Sequence, residues 1–381
     1  MIVTIVCDVL GEANNGTTIA ALNLIQSLKK RGHTVRVVCS DADKQDQDDF
    51  FVVKKLNLGP LNNYLAKNDV SLSKPDSKVL GAAIDGADVV HVMIPFGLGI
   101  KAAKLAVKKH IPVTAGFHMQ AENFTSHIFM KDVALVNYLF YRCVWLLLYR
   151  RCTCIHYPTE FIRKVFEKAI RRKTPAYVIS NGVNREFHPI QIERPERYRG
   201  KYVIQSTGRL SKEKTQYLLI DAIDQSRYRD RIQLVIAGKG PLYEKLKKRG
   251  EKLPNPPEFV FLSRSDLVRQ LNAANLYVHP AEIEIEAIAC LEAIACGLVP
   301  VIANSRRSAT RFFALDERNL FRTKSAAHLK QRIDYWIEHP KELEEMKRVY
   351  QDFSSMHEFE HCMDYMEQML KEAIEKYHEA A

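Results

Sequence analysis

The stretch "HPAEIEIEAIACLEAIACGLVPVI" (279–302) constrains this chain more than any other, because it sets Glu292 among alanine, isoleucine, leucine and cysteine. An unpaired carboxylate is costly to bury, so a helix that carries one on an apolar face holds it for a partner or a task. Upstream, Glu282, Glu284 and Glu286 alternate, and only Glu284 has another carboxylate eight positions on. Gly297 predicts a helix C-cap and "LVPVI" a buried strand. The expectation is a loop carrying Glu284, a helix starting near Ala287 and Ile288, and Glu292 on its inner face. Helix N-termini attract anions, so this layout suits a site where a sugar hydroxyl and a ribose hydroxyl flank a phosphate. An acidic surface loop followed by an amphipathic helix accounts for the same letters.

Two further segments separate those readings. "QSTGRLSKEKTQYLLIDAI" reads as strand, glycine turn, basic loop and helix, with Arg209 and Lys214 five apart around the turn. Gly208 allows close backbone approach, and the two cations suit a diphosphate clamped from one side. In "LVIAGKGPLYEKLKK" a buried strand ends at Gly238, and Gly240-Pro241 turns into a helix. Together the three segments resemble the C-terminal half of GT-B-fold glycosyltransferases, the large retaining family 4 with an E-x7-E motif. That family carries a GRL-x-x-x-K segment, a GxGP turn and an E-x7-EA-x-A-x-G helix, and all three occur here in that order. The resemblance implies an α/β protein of GT-B fold, two Rossmann-like doubly wound domains facing a central cleft.

The N-terminal half agrees with that fold. A strand over about 2–7, a loop, a helix over Thr17 to Lys30, a Gly32 cap and a strand near Val35 to Cys39 open a doubly wound sheet. Only "NNG", ending in Gly16, stands where the family has two adjacent glycines. "DVVHVM" (88–93) and "IPVTAGFHMQAENF" (111–124) are further strand-like runs, and His118 falls at the carboxyl end of the second, where such sheets bind ligands. A lone histidine is more often structural. Here it matches the family histidine that contacts the transferred sugar. "YVISNGVNREFHP" (177–189) matches the family's Asn-Gly-Val turn, with Gly182 at the turn.

A chain of 381 residues suits two domains. The expected division is 1–185, an acceptor and membrane domain; 186–355, the nucleotide-sugar domain; and 356–381, a Met- and Glu-rich helix crossing back to the first. The eight cysteines (7, 39, 143, 152, 154, 290, 296, 362) form no C-x-x-C pair and sit mostly in apolar runs. Reduced, buried thiols are expected rather than disulfides or zinc. No signal peptide is expected, since the first apolar run is only a short strand, interrupted at Asp8.

Formal net charge is +11, unevenly spread. Residues 142–173 hold Arg142, Arg150, Arg151, Arg163, Lys164, Lys168, Arg171, Arg172 and Lys173 against Glu160 and Glu167. Beside them, "VALVNYLFYRCVWLLLY" (133–149) is 17 residues long, short of the ~20 apolar residues of a spanning helix. Aromatic and leucine residues beside a basic cluster suit a segment in an anionic lipid interface, with Trp145 at headgroup depth. A buried helix followed by a solvated basic one is the plainer alternative. No nucleic-acid motif is present, so nucleic acid is not expected as the partner.

Within the family, "LGEANNGTTIAALNLI", "GFHMQAENFTSH" and "SATRFFALDERNLF" (308–321) resemble bacterial diacylglycerol glucosyltransferases. Two departures stand out: the family's E-x-F-G is Glu284-Ile-Glu-Ala, with Ala287 replacing a glycine, and "NSRRSAT" (304–310) lacks a glycine pair. The resemblance implies transfer of a hexose from a UDP-hexose donor to diacylglycerol, with retention, by a peripheral protein on the inner face of the cell membrane. In it Arg209, Lys214, Gly208, Gly16 and the helix start at Ala287 and Ile288 serve the diphosphate, and Glu292 the ribose. Glu284 and His118 meet the sugar, and no metal or other cofactor is called for. A soluble-acceptor or polymer-extending transferase of the same fold, and a non-catalytic membrane or nucleic-acid adaptor on this scaffold, are the rivals.

Overall fold

The computed structural model describes residues 1–8, 10, 16–59, 62, 72–125 and 133–380, without the side chains of Asn123 and Phe124. Near-continuous apolar runs such as Ile-Val-Thr-Ile-Val become strands buried on both faces, the signature of parallel sheets covered by helices. The chain divides into two compact units: Met1–Asn181 with Cys362–Ala381, and Gly182–His361.

The first unit is built on seven strands: β1 (Ile2–Val6), β2 (Thr34–Cys39), β3 (Phe50–Val52), β4 (Val89–Val92), β5 (Val113–Gly116), β6 (Cys154–Tyr157) and β7 (Ala176–Val178). They lie in the order β3-β2-β1-β4-β5-β6-β7 and every pairing is parallel. Helices α1 (Gly16–Lys30), α2 (Ser77–Ile84), α3 (Gly97–Lys108), α4 (Ala121–Thr125), α5 (Ala134–Leu147) and α6 (Glu160–Ile170) join them. The run 111–124 thus splits into the strand β5 and the short helix α4. Phe117, Tyr149, Tyr157 and Phe166 form an aromatic core, with Phe117 and Phe166 centroids 4.5 Å apart.

The second unit repeats the plan. Its main sheet uses β8 (Tyr202–Thr207), β9 (Ile232–Ala237), β10 (Glu258–Val260), β11 (Leu276–His279), β13 (Pro300–Ala303) and β15 (Leu320–Phe321), in the order β10-β9-β8-β11-β13-β15. A two-stranded ribbon pairs β12 (Ile283–Glu284) with β14 (Arg307–Ser308). The helices are α7 (Tyr217–Asp224), α8 (Tyr243–Gly250), α9 (Arg264–Ala273), α10 (Ile288–Ala295), α11 (Ala326–Glu338) and α12 (Pro340–Ser355). Trp336, Tyr350 and Phe321 fill its core. All eight cysteines are free, and only Cys143 is exposed.

The last helix, α13 (Phe359–Glu379), seats Met363, Met366, Met369 and Leu370 in buried positions. Within the first unit Arg31 pairs with its Asp364 and Glu367, and Tyr177 bonds Glu372. Within the second unit, its first and last residues run side by side. The Val183 N–H donates to the His357 carbonyl (2.8 Å), and the Phe359 N–H donates to the Val183 carbonyl (3.0 Å).

Two glycine loops in the second unit touch through their backbones. A Cβ on Gly238, whose φ is +150°, would lie 2.1 Å from the Gly208 carbonyl oxygen; one on Gly240 would lie 2.5 Å from the Leu210 carbonyl oxygen. Gly238→Ala is expected to destabilise this unit by about 2–4 kcal/mol, through backbone displacement and overpacking. A lowered urea midpoint at unchanged slope checks it.

Candidate active site

The strand order of the second unit reverses between β8 and β11, and ligands of such sheets bind beyond the carboxyl ends of the strands at that point. Both strands deliver there. β8 runs into Gly208 and Arg209, then a short 3-10 turn (Lys212–Lys214). β11 ends at His279 and leads through Pro280 to β12, which ends at Glu284. Two bonds tie the loops together: the Glu282 N–H donates to the Glu213 carbonyl (2.7 Å), and the Thr215 hydroxyl donates to the Pro280 carbonyl (2.5 Å). On the far side the Ser305 hydroxyl donates to the Glu282 carbonyl (2.6 Å).

That scaffold brings Lys214 onto Glu284. The ammonium pairs with Oε1 of Glu284, and His279 Nε2 lies 3.0 Å from the same oxygen. The side chains are 21% (Lys214), 13% (Glu284) and 3% (His279) exposed, so water replaces little of this contact. Burial by itself would raise the Glu284 pKa; the Lys214 charge and the His279 bond outweigh it and bring the carboxyl down to about 2. The aliphatic end of Lys214 lies over Gly208, within 3.9 Å of where a Cβ would stand. Gln216 Nε2 donates to the Arg209 carbonyl (2.8 Å) and fixes the turn from behind.

The helix α10 starts at Ile288 after Ala287, which adopts a left-handed φ of +66° where the resembling family has glycine. A non-glycine residue there stores strain of about 1–3 kcal/mol. The first turn closes with the Cys290 N–H on the Ala287 carbonyl (2.9 Å), so the amides of Ile288 and Ala289 stand at an open helix start. Glu292 is half-buried on this helix. Burial pushes its carboxyl up to about 7, opposed by the Arg264 charge at the start of α9.

In the first unit, His118 follows β5 and stacks edge-on to His156 at 5.4 Å. Its ring occupies the space of the missing Gly116 side chain, since a Cβ there would be 2.4 Å from His118 Nε2. Burial, with His156 and His91 nearby, holds its pKa well below 6.5, so it is a neutral ring at pH 7. Gly16 is the exposed first residue of α1. Asn14 and Asn15 of its segment, and Ser126 and His127 of the 116–127 segment, lie outside the described residues.

Among the basic residues, Arg163 and Lys164 pair with Glu160 and Lys173 with Glu167, while Arg151 donates to the Leu146 and Leu147 carbonyls. Arg150, Lys168, Arg171 and Arg172 are exposed. Trp145 is half-buried, its ring 6.4 Å from Phe166. The helix α5 buries Asn137, Tyr141 and Val144 and turns Leu135 (65% exposed), Leu139 (56%) and Leu146 (47%) outward. No helix among the described residues is long and apolar enough to cross a membrane. No described group of His, Cys, Asp and Glu has the arrangement of a metal site.

The sequence reading missed His279 and Arg264. A histidine closing the otherwise apolar "LYVH", five residues before Glu284, was the available signal for the first. Arg264 carried none, because it reaches Glu292 from another helix.

The family description "Glycosyltransferase Family 4" matches residues 14–187, and "Glycosyl transferases group 1" matches 188–351. The chain belongs to the GT-B glycosyltransferases built from these two domains, and is a nucleotide-sugar-dependent hexosyltransferase. The alpha-monoglucosyldiacylglycerol synthase of Streptococcus pneumoniae (strain ATCC BAA-255 / R6) is 26% identical over 310 residues, 76% of this chain and 68% of that protein. Anabaena HepE, solved with UDP-glucose, superposes at a TM-score of 0.76 with 16% identity, covering 98% of this chain and 100% of that one. The catalytic domain of cholesterol-alpha-glucosyltransferase from Helicobacter pylori is 46% identical, over 40% of this chain and 97% of that domain, at a TM-score of 0.38.

The raised Glu292 pKa has a sign. Its folded value of about 7 exceeds the ordinary 4.5, so its contribution to stability is fully present below about 4.5 and is lost as pH rises through 7. Glu292→Gln is expected to flatten that decline. The difference between pH 4.5 and 8 should be about 2 kcal/mol after allowance for partial exposure, read by urea unfolding of the ligand-free protein.

Proposed function

We propose that this protein is a retaining glycosyltransferase that moves glucose from UDP-glucose to diacylglycerol, working as a peripheral protein on the inner face of the cell membrane. The observation that carries the donor half is the Lys214–Glu284 pair beside the Gly208 turn and the open start of α10. Arg209, Lys214, Gly208 and the helix start at Ala287 and Ile288 take the diphosphate. Glu292, whose raised pKa marks a carboxylate short of charge partners, takes the ribose hydroxyls. Glu284 orients the sugar and His118 is assigned to its hydroxyls. Gly16 is assigned to the phosphate side of the first unit.

Charge grows on the leaving diphosphate in the transition state, and fixed cations and amides aimed at it are the largest usual source of rate. With that set in place the reading calls for no divalent ion. The acceptor oxygen attacks from the face the diphosphate leaves, and the diphosphate takes the acceptor proton. Glu284, held ionised by Lys214 and His279, orients substrate rather than forming a covalent intermediate.

The lipid half rests on two supports. One is the S. pneumoniae relative, whose name states a glucosyldiacylglycerol product. The other is the leucine stripe of α5, where Leu135, Leu139 and Leu146 share an exposed face with Arg142, next to the exposed Arg150, Lys168, Arg171 and Arg172. An amphipathic face of leucines flanked by cations fits an anionic interface, where each cation near the surface adds about 1 kcal/mol.

Radiolabelled UDP-glucose with vesicles of diacylglycerol and anionic phospholipid tests both halves. Label is expected in the organic phase, more with anionic lipid, with GDP-mannose giving none. Lys214→Ala and Glu292→Ala are expected to lower transfer at least about 100-fold while the fold stays intact; near-normal turnover in either refutes these roles. Label passing only to a water-soluble acceptor would discard the lipid. Leu139→Asp with Leu146→Asp is expected to weaken vesicle flotation about tenfold or more.

A further inference from the structure

Lys214 carries two duties in the donor reading: it pairs Glu284, and it is to meet the diphosphate. A single ammonium that turns to the diphosphate slackens its hold on Glu284, and a buried carboxylate left without a partner is strongly disfavoured. The second partner already in place is His279. We infer that His279 is a positioning residue for the transfer reaction, keeping Glu284 bonded, ionised and aimed when Lys214 engages the donor. This inference rests on the donor reading above.

Four observations support it. His279 Nε2 is 3.0 Å from Glu284 Oε1, the oxygen that Lys214 also grips. Both donors fall on one oxygen, Oε1, so that neither of these two bonds uses Oε2. The imidazole is fixed from behind: the Tyr277 hydroxyl is 3.4 Å from Nδ1 and 3.3 Å from the Thr207 carbonyl, and the two rings lie 6.1 Å apart at 24°. The backbone carrying both is equally fixed, since β11 is hydrogen-bonded between β8 and β13.

The proton inventory agrees with the geometry. To donate to a carboxylate, Nε2 must carry hydrogen. Tyr277 is fully buried and burial holds its pKa well above 10, so its hydroxyl keeps its single hydrogen and donates it to the Thr207 carbonyl. A histidine at the end of an otherwise apolar strand thus has Nε2 on the residue that is to orient the sugar, and Nδ1 3.4 Å from the Tyr277 hydroxyl.

The test compares three variants of the full chain. With UDP-glucose and the accepting lipid, His279→Leu is expected to lower kcat about tenfold or more. Its affinity for UDP, measured by calorimetry, should stay within about twofold of the parent, because UDP carries no sugar for Glu284 to hold. His279→Gln, whose amide can donate to Oε1, is expected to recover most of the lost kcat. In a Glu284→Gln background, His279→Leu should add less than about a further twofold loss, the non-additivity of residues acting through one another. A kcat within about twofold of the parent in His279→Leu, with UDP affinity intact, overturns the inference. Equal losses of kcat and UDP affinity, unrelieved by His279→Gln, overturn it in favour of a structural role. An unaltered protein that binds no UDP removes the donor reading and the inference with it.

Discussion

A largely buried carboxylate kept ionised is the constraint around which the second unit is arranged. Glu284 is tolerable inside the protein only because Lys214 and His279 reach one of its oxygens. Those two residues come from different strand ends, so the loops bearing them must be held in register. The Glu282–Glu213 and Thr215–Pro280 bonds do this, and the Gly238 loop packs against the Gly208 carbonyl closely enough to admit no Cβ at 238. The ion pair fixes the site, and the backbone contacts fix the ion pair.

Glu292 gives the opposite case on the same helix motif. Both carboxylates are shielded from water, yet one is held down to about 2 and the other pushed up to about 7. The difference is supply of partners: Glu284 has two donors in contact, while Glu292 has only the Arg264 charge named against its burial. Groups with shifted pKa values gather at functional sites because they are incomplete without substrate. In the proposed donor reading a ribose, with two hydroxyl donors, is the group that supplies what Glu292 lacks. Glu284, already satisfied on one oxygen, is suited to orienting rather than to capturing.

Much of this was legible in the letters, and the limits have physical causes. The E-x7-E spacing, the Gly208 and Gly240 turns and the helix stop at Gly297 are local, so strand, loop and helix follow from them directly. His279 and Arg264 act through tertiary contacts, and a single sequence carries no address for those. The segment 133–149 reads as uniformly apolar, whereas α5 buries only the face of Asn137, Tyr141 and Val144; which leucines stay outside depends on what α6 and the aromatic core leave room for. Ala287 was marked as a departure from glycine, but only coordinates give its left-handed φ. The contact division falls at Asn181/Gly182, where Gly182 adopts a positive φ, rather than at 185/186.

The first unit is assembled from two stretches of chain, Met1–Asn181 and Cys362–Ala381, with the whole of the second unit threaded between them. During synthesis domains ordinarily close in the order in which they emerge. Here that order is inverted. The second unit is complete in sequence once residue 361 has left the ribosome, while the first still lacks the helix whose Met363, Met366 and Met369 fill its surface. Until that helix is made, Arg31 has neither Asp364 nor Glu367 to meet, and the apolar positions that Met363, Met366 and Met369 cover lack their partners. Of these two units, the one begun earlier is the one finished later.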